Sequence, residues 1–166
     1  MANNNTDLNM IIFAMKNEWT SFKCFARDDD EPYNTFLFGY PQEKDNHHAY
    51  TATTMVVNPP TTSLGTIQIE KEVVKYNTTF TLQIYKKIPS DTYGQANADA
   101  YPNIWDQMEK CFFNWLQGVL NDLGTSVQIG TGSVSITRRN QSANDQQFQI
   151  ECKFNLDYFF HCIHLD

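Results

Sequence analysis

Four consecutive carboxylates, Asp28, Asp29, Asp30 and Glu31, are the densest charge in the chain. Grouped carboxylates can hold a cation or repel a phosphate. The Asp-x-Asp-x-Asp-Gly spacing of a calcium loop is missing, so the stretch reads as a solvated turn, closed by Pro32. His47 and His48 are adjacent, and on an extended chain they face opposite ways, which is poor metal geometry. At the C-terminal end, Cys162 and His164 share a side and His161 does not; two ligands from one strand would need more from elsewhere. Arg138 and Arg139 stand together in a charged stretch, either as an exposed tip or as partners of acids on another subunit. GxGxxG, GxxxxGK[ST], HExxH and GxSxG are all absent, and no Ser, His and acid fall in a nucleophile context. The expectation is a protein that is not an enzyme and holds no metal or cofactor.

Cysteine usage bounds the compartment. Cys24, Cys111, Cys152 and Cys162 include no CxxC pair, and MANNNTDLN lacks the charged-then-apolar pattern of a signal peptide. Both point to a reducing cytoplasm and four free thiols. No apolar run reaches bilayer length, which argues against a membrane span. A net charge of −7 opposes a protein that wraps nucleic acid, because phosphate binding needs a basic surface. Such a charge is compatible with a surface that DNA passes without sticking.

The elements that must carry these residues are organised around Tyr101 to Gly124. Ile104, Met108, Cys111, Phe112, Trp115, Val119 and Leu123 recur at three- and four-residue steps, and Trp105, Leu116 and Leu120 widen the stripe. Pro102 suits the first turn and Gly124 the left-handed stop. So broad a stripe must lie across a sheet. Residues 1–5 read as a loose tail. Thr6 can cap a short helix running to about Asn17, with Leu8, Ile11, Ile12, Met15 and Trp19 on one face.

Three hairpins are expected. The first joins 20–27 to 33–39 through the acidic turn. The second joins 66–75 to 79–86, turning at Tyr76 to Thr78. The third runs from Ser133 to Arg139, turns through 140–145, and returns on Phe148, Ile150, Cys152, Phe154, Leu156 and Tyr158. Those six alternate with Gln149, Glu151, Lys153, Asn155 and Asp157, so one face is buried and a one-residue slip would bury Glu151 and Lys153. Residues 40–65 show no strong pattern beyond a short strand within Tyr50 to Val57. Pro59 and Pro60 interrupt the stretch, which reads as a long loop or assembly arm. The fold class is α+β in a single domain over 1–166: a curved antiparallel sheet built from hairpins, packed against one long central helix, with a short N-terminal helix.

The segments TFTLQIYKK at 79–87, WDQMEKCFFNWLQGVLNDLG at 105–124 and SVSITRRNQSANDQQFQIECKFNLDYF at 133–159 resemble small tail-completion or tail-terminator-like proteins of tailed phages. They look in particular like neck or tail proteins of phages of gut Bacteroidetes, crAss-like phages among them. In that family an xFxIQIY strand leads into a long helix, and a SITPF…D…GW-like hairpin follows. Asp145 stands where the family has its turn acid; Gln146 and Gln147 replace the glycine and aromatic that follow it. The resemblance covers about the second half of the chain. It implies a structural virion subunit, closed with copies of itself into a ring in the neck or tail. Its neighbours would be portal, neck or tail proteins, it would assemble in the host cytoplasm, and DNA would traverse its channel.

On that reading Asp28, Asp29, Asp30 and Glu31 face the channel or its rim, the alternative being a solvated outer turn. Leu8, Ile11, Met15, Tyr50, Met55, Val57, Arg138 and Arg139 are the candidate inter-subunit contacts. The alternative function is a small-molecule-binding α+β domain with an aromatic-lined pocket beneath the central helix. A hydrolase or transferase with unrecognised residues comes third.

Overall fold

A computed structural model describes residues 7–25, 32–39, 52–68, 73–87, 100–130, 134–140 and 147–161. The fold is α+β: among the described residues, two helices lie on a curved, open, mixed sheet of seven strands.

Helix α1 spans Leu8–Thr20. Its cap is Asp7, one residue beyond the expected Thr6; the Asp7 carboxylate accepts from the Met10 N–H at 2.8 Å. The helix continues past Asn17 because Trp19 extends the buried stripe of Ile11, Ala14 and Met15. Ser21 closes it, donating through both its N–H and its hydroxyl to the Glu18 carbonyl.

Among the described residues 20–25 no strand follows the helix. Residues 21–25 form turns, and the Cys24 N–H donates to the Asn34 side chain rather than to a ladder partner. Among the described residues the expected first hairpin does not form: 21–25 are not strand, and the chain at 35–38 pairs elsewhere. Strand β1, Thr35–Phe38, pairs in parallel with β2, Thr54–Val57, in register Thr35 with Thr54 and Phe38 with Val57. A parallel pair needs a crossover far longer than a hairpin turn, and the stretch between these two strands supplies it.

Strand β3, Thr61–Gln68, lies end to end with β2 along one edge of β4, Val73–Lys87. Between them the Asn58 N–H donates to the Thr81 carbonyl at 2.9 Å, so the chain stays on that edge where Pro59 and Pro60 offer no N–H. The short strand expected within Tyr50 to Val57 is thus β2, and residues 61–65 are sheet, not arm. Tyr76 to Thr78, the expected turn, sit inside β4 and are paired on both sides. The other edge of β4 carries β7, Gln147–His161, paired antiparallel along its whole length. A fifteen-residue partner keeps β4 extended where its own sequence reads as turn.

Helix α2, Ala100–Leu123, ends at Gly124, whose φ of +74° is the left-handed stop. A single 3-10 turn leads into β5, Val127–Ile129, and β6 follows at Ser135–Asn140. Both lie on the outer edge of β7, joined by the Gly130 N–H to the Asn155 carbonyl at 2.9 Å. Across the sheet the order is β1, then β2 with β3, β4, β7, and β5 with β6.

One core holds these elements. Met108, Cys111, Phe112, Trp115 and Val119 of α2 face Phe80, Leu82 and Ile84 of β4 and the six alternating residues of β7, all buried. Phe112, Trp115 and Phe154 meet ring to ring at 5.8–6.1 Å. Helix α1 adds Ile11, Met15 and Trp19; the Trp115 indole N–H donates to the Met15 carbonyl at 2.9 Å and that of Trp19 to the Thr35 carbonyl at 2.8 Å.

Cys24 and Cys111 are joined in a disulfide, their Cα atoms 5.7 Å apart. This corrects the expectation of four free thiols, which followed from compartment and not from geometry. Cys152 is free and buried, and Cys162 lies outside the described residues.

Candidate assembly surface

The expected contact residues part company in three dimensions. Ile11, Met15, Met55 and Val57 have no exposed surface. They are core residues, because α1 lies on the chain's own helix and sheet and β2 is an inner strand with β1 outside it. They cannot be inter-subunit contacts while the chain is folded. Leu8 is at the margin of exposure. Tyr50 and the acidic turn Asp28 to Glu31 lie outside the described residues, as do His47, His48 and His164.

Both arginines of β6 meet acids of their own chain. The Arg138 guanidinium donates to the two Glu109 carboxylate oxygens at 2.8 and 2.9 Å, with Asp106 at 3.8 Å, which ties β6 to α2. Arg139 pairs with Glu151 on β7 at 3.0 Å. Exposed pairs of this kind contribute little to stability and leave less charge for a neighbour.

Sequence reading missed the apolar groups that do face out. On α1 these are Met10 and Phe13, the latter 67 % exposed. Around β1 they are Tyr33, Leu37 and Phe38, with Phe38 50 % exposed, and on α2 it is Phe113 at 49 %. The signal was available for Phe13, which falls opposite the buried stripe of α1, and not for Phe113, which lies beside Leu120 at the edge of the α2 stripe. It was not available for Leu37 and Phe38, whose exposure follows from β1 being the last strand of the sheet. Among the described residues, β1 pairs only with β2 and β6 only with β7, so each leaves an outer row of backbone N–H and C=O groups.

The sheet face away from the helices is polar over much of its length. The Asn77 side chain donates to Asp157, and the Thr79 hydroxyl to the Asn155 amide oxygen at 2.7 Å. On the helix side, Thr62, Thr78 and Tyr158 share a hydrogen-bonded chain, with spacings of 3.0 and 2.9 Å. Burial pushes the Tyr158 phenol up, against the lowering effect of Thr78. The Cys152 thiol is pushed far up, first by burial and then by Glu109 and Glu151, so it is held protonated and is no nucleophile.

Among the described residues no group of three His, Cys, Asp or Glu could hold a metal ion, and no helix is long and apolar enough to cross a membrane. Chemically, the described surface offers open strand edges and apolar side chains. No protein-family model matches the chain, and no curated protein matches it.

Proposed function

We propose that the chain is a structural subunit of a tailed-phage virion. On this reading copies of it form a ring or connector in the neck or tail, around the channel that DNA traverses. The resemblance of the segments at 79–87, 105–124 and 133–159 supplies the class of protein. The observation that carries the assembly is the open sheet, whose outer strands β1 and β6 have, among the described residues, a partner on one side only. Strand β1 runs with β2 and β7, and β6 runs against β7. The β1 of one copy, set beside the β6 of the next, therefore meets it antiparallel, and the sheet can continue from subunit to subunit. A contact between two different patches is heterologous, and when its rotation closes it yields a ring. Leu37 and Phe38 would then be covered by the neighbour.

The packing beneath α2 weighs against a small-molecule-binding domain. The space that would be its aromatic pocket is filled by Phe80, Phe112, Trp115 and Phe154 in mutual contact. Native mass spectrometry with negative-stain imaging tests the assembly: a closed oligomer is expected, alone or on addition of virion partners. A monomer under all these conditions that retains a small molecule would overturn it.

A further inference from the structure

A carboxyl group lies between helices α1 and α2. Gly118 of α2 has the Glu18 side chain of α1 lying over it, so that a Cβ at Gly118 would collide with the carboxylate. Asp122 lies one helical turn beyond Gly118, on the same side of α2. Two acids thus come together at a contact between helices that is built largely from apolar side chains. With the Glu18 carboxyl over Gly118 and Asp122 one turn on, the two groups are placed to share a hydrogen bond, which two carboxylates can do only if one of them carries a proton.

The charged groups around this pair do not neutralise it. Lys16 is two residues from Glu18 and projects from another side of α1. Lys23 sits over the Tyr33 ring, with its Nζ 5.2 Å from the centroid. Lys110 is two turns from Gly118 on α2, Asp106 and Glu109 are turned to Arg138, and Asp7 caps the far end of α1. Strand β1 carries no charged residue.

We propose that Glu18 and Asp122 form a proton-dependent latch that fastens α1 to α2 and opens as the pH rises. This does not depend on the virion reading. The Glu18 carboxyl is raised above the ordinary glutamate range by its hydrogen bond to Asp122, then by burial, then by the Asp122 charge. A folded-state pKa above the unfolded value means that the proton stabilises the folded state. That contribution is complete below the ordinary glutamate range and is lost as pH rises through the raised value. Above it, two carboxylates repel across the contact. What loosens is α1 with Ile11, Met15 and Trp19, and with Trp19 its hydrogen bond to Thr35 on the open edge strand. The Cys24–Cys111 disulfide retains the end of the segment, so α1 is freed while the chain stays tethered.

Hydrogen–deuterium exchange tests this on the full chain with its disulfide intact, at about pH 4.5 and about pH 8. Protection factors of the α1 amides are read relative to those of β7, which removes the intrinsic pH dependence of exchange. In the wild type, relative protection of α1 should fall severalfold at the higher pH. Glu18→Gln donates to Asp122 without needing a proton, so it should hold α1 protected at both values. Gly118→Ala displaces the Glu18 carboxyl and should also flatten the dependence, at lower protection. Should Glu18→Gln fold poorly, Asp122→Asn makes the reciprocal bond and takes its place. A wild-type ratio that is equal at the two pH values overturns the latch. So does a Glu18→Gln or Asp122→Asn protein that keeps the full wild-type dependence.

Discussion

Trp115 is the side chain on which both layers of the molecule depend. It packs on Phe112, Phe154 and Trp19, and its indole N–H satisfies the Met15 carbonyl. Trp115→Ala removes the contacts of a large ring and its hydrogen bond to the Met15 carbonyl, so a loss of ~3–5 kcal/mol is expected in guanidinium unfolding. A loss below about 1 kcal/mol would mean that the core can close over the gap. Cys24 and Cys111 matter in a different way. Their bond closes a loop across a sequence separation of 87, and a closure of that length constrains the unfolded chain strongly. Reduction, or Cys24→Ser with Cys111→Ser, should cost ~2–5 kcal/mol, seen as a lower unfolding midpoint with dithiothreitol for the wild type but not for the double variant.

The elements repeat one device. On each side of the central β4–β7 pair, two shorter strands lie end to end and serve as one long partner. Helix α2 crosses between these halves and must stop sharply, because β5 begins after a single turn. Gly124 makes that stop at φ +74°, with open space where a side chain would be. Gly124→Ala therefore meets backbone strain and no clash: about 1–2 kcal/mol of stability should be lost in thermal or denaturant unfolding, with the helical signal retained. An unchanged midpoint would show that the helix can end another way.

At the scale of the whole molecule the open sheet decides the expected behaviour. Leu37 and Phe38 are exposed on an outer strand, so Leu37→Lys with Phe38→Lys removes no core contact of the isolated chain. It should lower the oligomer by charge and desolvation at the proposed strand-to-strand contact, while the unfolding midpoint of the monomer stays within about 0.5 kcal/mol. Sedimentation velocity with circular dichroism reads both. Unimpaired assembly by the double variant would place the contact elsewhere, for instance on Met10, Phe13 and Phe113.

The sequence by itself determined the parts whose pattern is local. The stripe of α2 and the alternation from Phe148 to Tyr158 each require one buried face, and those residues are buried in the structure. The α+β class follows from them. What tertiary structure alone decided is whatever depends on a distant partner. Tyr76 to Thr78 read as a turn and are strand, because β7 pairs along all of β4. Thr35–Phe38 read as the return of a hairpin and lie parallel to β2. Cys24 and Cys111 read as separate thiols, since nothing in their spacing places them side by side. Met55 and Val57 read as contacts to a neighbour, because a short apolar strand carries the same composition whether it ends in its own core or on another subunit. Side-chain periodicity records which face of an element is apolar; which element meets that face is a property of long-range pairing, and that free energy is not written in any one segment.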